Sequence, residues 1–188
     1  GSLSIRNLKR PHIKLLVSGE ADANVLNKIF DNGGFTNFSG SLLPEFQWQT
    51  QLSSFDDVKM NSMLASGVSG KIQLKDMSVL VSDKYPVENL NGEIRFAGES
   101  WYPDIRFSSG KSNIQAKLQI DHVFKYLSKK STNLRIDGNI KSHYLDLTPL
   151  ASLKKEKERE KEKTAFELPQ GLFANIQIDV DEFKTGKF

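Results

Sequence analysis

Few residues in this chain are placed to do chemistry. Gly110-Lys111-Ser112 matches the end of a phosphate-cradling loop, in which backbone N–H groups hold phosphate and the lysine reaches across it. The full motif needs a glycine where Ile105 stands, and a helix where a strand pattern follows Ser112. The three histidines, His12, His122 and His143, share no metal-ligand spacing. Asp56-Asp57 and the pair Asp179 and Asp181 supply carboxylates, but no histidine or further acid is spaced to make either pair a general acid–base set. They read as solvated charges. No Gly-x-Ser-x-Gly elbow is present. The absence of cysteine removes a thiol nucleophile, a disulfide frame and a cysteine zinc site. The chain therefore reads as a non-enzyme with no cofactor and no metal. Trp48 and Trp101 could stack on a sugar ring. Trp48 falls on the apolar side of its strand and reads as core; Trp101-Tyr102 reads as a surface contact for glycan or protein.

The surrounding elements are mostly strands. Ile114, Ala116, Leu118 and Ile120 alternate with Gln115, Lys117, Gln119 and Asp121, which is a strand with one dry and one wet face. Val123, Phe124 and Leu127 then fit one side of a helical turn over residues 122–127, and Leu134, Ile136, Gly138 and Ile140 restore the alternation. Similar strands run through Ile13–Val17, Phe46–Leu52, Ile72–Leu74, Met77–Val81, Asn91–Phe96, Ile105–Phe107 and Ala174–Val180, with Phe183–Phe188 as a partner to the last. The phase slips by one residue at Lys75-Asp76, which predicts a bulge or tight turn there. Gly98-Glu99 and Ser109-Gly110 are hairpin positions. Asp22 caps an expected helix over 23–31, with Val25, Leu26, Ile29 and Phe30 on its inner side and Asn32-Gly33-Gly34 as its stop. Met60, Met63 and Leu64 form a turn or a loop, and Leu147–Leu153 another short helical turn.

This pattern predicts a mainly β fold with a few short helices. The expected form is an elongated, curled, largely antiparallel sheet whose one apolar face is covered locally by short helices. Three segments are expected: a β-rich segment over 1–152, a charged mobile linker over 153–165, and final strands over 166–188 that pair with the same sheet. Residues 154–163 are all charged, six basic and four acidic, with alternating signs whose like and opposite pairs offset one another. Across the chain 26 basic residues meet 23 acidic ones without a basic patch, which argues against a nucleic-acid partner. No apolar run reaches the roughly 18 residues that span a bilayer. Gly1-Ser2 reads as a cloning remnant, so the chain is expected to be a piece of a longer one whose anchor lies outside it.

Short motifs in order carry a family resemblance. Ser69-Gly70-Lys71-Ile72-Gln73-Leu74-Lys75-Asp76, Val87-Glu88-Asn89-Leu90-Asn91-Gly92-Glu93-Ile94-Arg95-Phe96 and Leu145-Asp146-Leu147-Thr148-Pro149-Leu150 resemble the AsmA-like proteins of the Gram-negative envelope. Asp22-Ala23-Asn24-Val25-Leu26, Asp121-His122-Val123-Phe124 and Leu168-Pro169-Gln170-Gly171-Leu172 are weaker echoes. The resemblance covers roughly Pro11 to Phe188. It implies a periplasmic segment of a longer chain anchored in the inner membrane, linked to outer-membrane assembly and to phospholipid movement between the membranes. Larger relatives form long curled sheets with an apolar groove. On that basis Ile114, Leu118, Ile136 and Ile140 are the expected lipid-facing residues, with phospholipid or membrane as the partner. The alternative is an envelope or extracellular β-module that binds glycan or protein through Trp101 and Tyr102.

Overall fold

The computed structural model describes residues 1–7, 9–29, 35–51, 68–81, 85–123, 126, 133–146 and 171–185. They form one open, mostly antiparallel sheet: β1 (Ser2–Arg6), β2 (His12–Ser18), β3 (Ala21–Asp22), β4 (Phe35–Gln51), β5 (Val68–Val81), β6 (Tyr85–Ala97), β7 (Ser100–Ser109), β8 (Ser112–Asp121), β9 (Leu134–Asp146) and β10 (Leu172–Lys184). The spatial order is β1-β2-β4-β5-β6-β7-β8-β9-β10, with β3 also pairing β4. The sheet does not close, so β1 and β10 are its edges.

Gly98-Glu99 and Gly110-Lys111 are the two-residue hairpin turns at either end of β7, the second lying one residue beyond the expected Ser109-Gly110. Gly110-Lys111-Ser112 is thus a turn entering a strand. One expectation for the final segment is corrected: Phe183 does not begin a separate partner strand. Phe183 belongs to β10 itself, and β10 runs parallel to β9, with Leu172 opposite Leu134 and Lys184 opposite Asp146. A parallel neighbour cannot be reached by a tight turn and needs a crossover of about a dozen residues or more. The charged run lies within that crossover. The run itself, residues 52–67, Phe124, Leu127, Asn32-Gly33-Gly34 and Leu147–Leu153 lie outside the described residues.

β4 is far longer than the Phe46–Leu52 alternation suggests. Pro44 hides its first half, because proline breaks a ladder on any strand paired on both sides. Here β2 has ended at Ser18, opposite Glu45, and β3 starts at Ala21, opposite Leu42. Pro44 falls in that gap, where one side of β4 has no ladder to lose. β1 is a further strand beyond those expected, though Leu3 and Ile5 alternate with Ser2, Ser4 and Arg6; it is the shortest of the ladder strands on the main path.

A bulge sits where the phase slip places it. Pairing of β5 with β6 shifts between Leu74 and Met77, and Asp76 has φ +46°. The slip lets Leu74 and Met77 share one face. Neighbouring strands carry bulges too, at Asn37 (φ +57°) in β4 and Asn89 (φ +53°) in β6. Asparagine and aspartate tolerate this left-handed region best among residues with a side chain. Asn91 ties two of the bulges together: its Oδ1 accepts from Asp76 N at 3.1 Å, and its Nδ2 donates to Asp76 Oδ1 and Asn89 O, each at 3.0 Å. Gly92 and Gly138 hold φ of +139° and +148° where the next strand's backbone crosses close by, and a side chain would collide with it.

The expected helix over 23–31 is shorter and turned differently. Ala23–Val25 is a 3₁₀ turn capped by Asp22, whose Oδ1 accepts from Asn24 N at 2.8 Å, and Leu26–Ile29 is a single α turn. In a 3₁₀ turn residues i and i+3 eclipse, so Ala23 and Leu26 point inward together and Val25 faces solvent at 46% exposure. Asn27 docks the turn on the sheet: its Oδ1 accepts from Phe38 N at 2.9 Å and its Nδ2 donates to Phe38 O at 3.2 Å. Beneath it Ala23, Phe38, Leu74, Met77 and Val79 form the main core. A smaller cluster joins Ile13, Trp48 and Val68. Of the second expected helix, over 122–127, the described residues show one helical bond, Tyr126 N to His122 O at 2.9 Å, with Val123 buried.

Candidate functional site

Alternation and register together build one apolar face that crosses the whole sheet. Leu118 lies opposite Gly138, Ile120 opposite Ile136, Ala116 opposite Ile140, and Ile114 opposite Ser142. The face continues into β10, where Ala174 meets Ile136 and Ile178 meets Ile140. It continues the other way through Ile105, opposite Ala116, and Phe107, opposite Ile114. The four residues expected to face lipid thus share one surface, and all four are half-buried. The main core lies under the Ala23–Ile29 turn, away from β8–β10. Gly138 gives Leu118 room to lean across β9, with Leu118 Cδ2 3.0 Å from where a Cβ would stand.

A surface of aliphatic side chains offers no directional chemistry. It can take an apolar chain, at about 0.8 kcal/mol per CH₂ removed from water. Two buried serines at its margin are satisfied internally. Ser142 Oγ sits 2.7 Å from Asn113 O and 2.8 Å from Tyr144 O, and Ser112 Oγ accepts from Asp146 N at 2.9 Å.

The opposite face is a lattice of charges. Lys71 lies 3.8 Å from Glu45 and 3.5 Å from Glu93, Lys117 lies 2.9 Å from Asp104, and Lys141 lies 3.9 Å from Asp179. Each links neighbouring strands. Such exposed pairs are worth little individually. Two open hollows of about 490 and 560 Å³ lie on this side and share Asn91, Arg106 and Gln115. No motif or spacing in the sequence singles these residues out. They occupy wet positions of separate strands, and only the register brings them together.

His143 pairs with Asp181 at 2.8 Å across β9 and β10. That hydrogen bond, aided by the carboxylate's charge, raises His143 above the usual histidine value. A raised folded-state value means the bond contributes stability below the ordinary histidine pKa and loses it as pH rises through the folded one. Titration of the His143 ring by NMR should show the raised value, and Asp181→Asn should return it to the ordinary one. An unchanged titration in that variant would remove the pair from the account. Arg135 likewise holds Asp137 below the usual carboxylate range, chiefly through their hydrogen bond.

Other sequence candidates separate. Trp48 is buried at 6% exposure beside Ile13 and Val68, so it is core. Trp101 lies half-buried on the apolar face, edge-on to Phe96 with ring centroids 5.1 Å apart. Pairing with Ile120 in β8 puts it there. Tyr102 is half-buried on the charged side. His122 is exposed and pairs with Glu99 at 3.0 Å. Asp179 and Asp181 are solvated partners of Lys141 and His143. Asp56-Asp57 lies outside the described residues. Among the described residues no group of three or more His, Asp or Glu could hold a metal ion, and no helix is long and apolar enough to cross a membrane. Comparison with protein families, with characterised proteins and with solved structures finds no match to this chain.

Proposed function

We propose that this chain is a non-enzymatic, AsmA-like envelope segment whose apolar face guides the acyl chains of phospholipid. In this reading it belongs to a longer, inner-membrane-anchored protein that faces the periplasm and serves outer-membrane assembly and lipid transfer between membranes. The observation that carries it is the continuous apolar face from β1 to β10, half-covered where β8 and β9 present Ile114, Leu118, Ile136 and Ile140. A passive guide needs that: aliphatic contact along a strip, no reactive group, and a charged opposite face that stays in water. The ordered motifs between Ser69 and Leu150 support the family. The glycan-binding alternative loses support, because Trp101 is engaged with Phe96.

Native mass spectrometry of the purified chain should find co-purified phospholipid, and an acyl-chain fluorophore should bind and be displaced by it. Leu118→Glu and Ile140→Glu should each weaken binding at least about tenfold, a loss of about 1.4 kcal/mol. Circular dichroism would verify that both variants remain folded. Absence of lipid and of probe binding, or binding indifferent to both charges, would sink the reading.

A further inference from the structure

Four of the most exposed large hydrophobics among the described residues lie on the two edge strands: Leu3 on β1, at 63%, and three on β10. Phe173, Ile178 and Phe183 are 60%, 62% and 67% exposed, and all three lie on β10. The strand is thirteen residues long and ends the strand order, so its outer N–H and C=O groups form an open ladder among the described residues. Natural sheets usually blunt such an edge with lysine, proline or a bulge. Here the β9–β10 register runs with a constant offset from Leu172 to Lys184, and the one lysine stands at the end.

The spacing is palindromic. Ile178 stands midway between Phe173 and Phe183 and at the centre of β10. We infer that β10 is a self-pairing edge: two copies of the chain join β10 to β10, antiparallel, about a two-fold axis at Ile178. In that register Ile178 meets its own copy on the apolar face. Phe173 meets Phe183 of the second copy on the charged face, twice by symmetry. Val180 meets Ile176. Asp179 meets Gln177 and Asp181 meets Asn175, so no two acids stand opposite. Both phenylalanines and Ile178 are covered by one alignment. Cross-strand aromatic pairs and β-augmentation supply the recognition. A two-fold axis normal to the sheet keeps both apolar faces on one side, so the two sheets become one. The other edge, β1, has five residues, and joining β10 to it would give open-ended filaments instead of a closed pair.

Sedimentation velocity should give twice the chain mass, and Ile178→Lys should return it to one chain with unchanged circular dichroism. The chain has no cysteine, so an introduced one is the single thiol. Ile178→Cys should form a disulfide-linked dimer, because either class of antiparallel pair brings opposed Cα atoms to about 4.5–5.5 Å, within disulfide range. Asn175→Cys should not, since its own copy lies well along the strand. If Ile178→Lys failed to fold, the two cysteine variants would still decide. A single-chain mass at high concentration overturns the inference. So does a ladder of ever-larger species, or equal linking by Asn175→Cys.

Discussion

Gly92→Ala should cost more than about 3 kcal/mol or abolish the folded state. At Gly92 φ is +139°, and an added Cβ would stand 2.2 Å from Asp104 O and 2.8 Å from Ile105 Cα. Both atoms are backbone of β7 and cannot swing aside. The variant must either move β7 off β6 or leave a backbone region that is essentially reserved for glycine, at about 1–3 kcal/mol. Gly98→Ala separates the two contributions. Its φ is +62° and nothing lies within 4 Å, so it carries conformational strain alone, about 1 kcal/mol. Urea unfolding of both variants measures the difference. Equal midpoints would refute the close approach of β6 and β7.

Phe38→Ala should cost about 3–5 kcal/mol, the usual range for emptying an aromatic site in a core. Phe38 is 8% exposed and packs with Ala23, Leu74, Met77 and Val79 beneath the helical turn. Asn27 holds Phe38 through its backbone only, so those hydrogen bonds survive the substitution and the loss reports packing. Against a typical domain stability of about 5–15 kcal/mol, that is a large share. Phe183→Ala is the counterpart: at 67% exposure it should leave the stability of an isolated chain within about 0.5 kcal/mol. Thermal unfolding of the two, at a concentration that disfavours pairing, tests the contrast. A small loss at Phe38 would mean the turn does not bury it.

Much of this architecture is legible in the sequence because a strand advertises its two faces at every second residue. Ile114–Ile120 and Leu134–Ile140 are read correctly for that reason, and the slip at Lys75-Asp76 locates a bulge from residue pattern alone. Pro44 obscures half of β4, since the gap between β2 and β3 that tolerates it is a tertiary fact. The direction of β10 is equally hidden: Ala174–Val180 has the same alternation whether it pairs parallel or antiparallel. The candidate face divides the same way. Ile114, Leu118, Ile136 and Ile140 follow from periodicity, whereas Trp101 joins them only through its pairing with Ile120. Asn91 and Arg106 meet across β6 and β7, and no local pattern announces that meeting.

The strand order has a consequence for cooperativity. Apart from the small β3, strands from β1 to β9 lie in the sheet in the order in which they are made, so each contacts chiefly its sequence neighbours. A chain built this way resembles a one-dimensional array, in which stability is a sum of nearest-neighbour terms. Both buried clusters fall on β2 and β4–β7 with the helical turn. Amide protons there should be the slowest to exchange with solvent, with protection falling off toward β1 and β10 in a hydrogen-exchange measurement. Opening should proceed inward from the edges, and in a single chain β10, which among the described residues pairs with β9 alone, can detach without disturbing the pairs on the far side of the sheet.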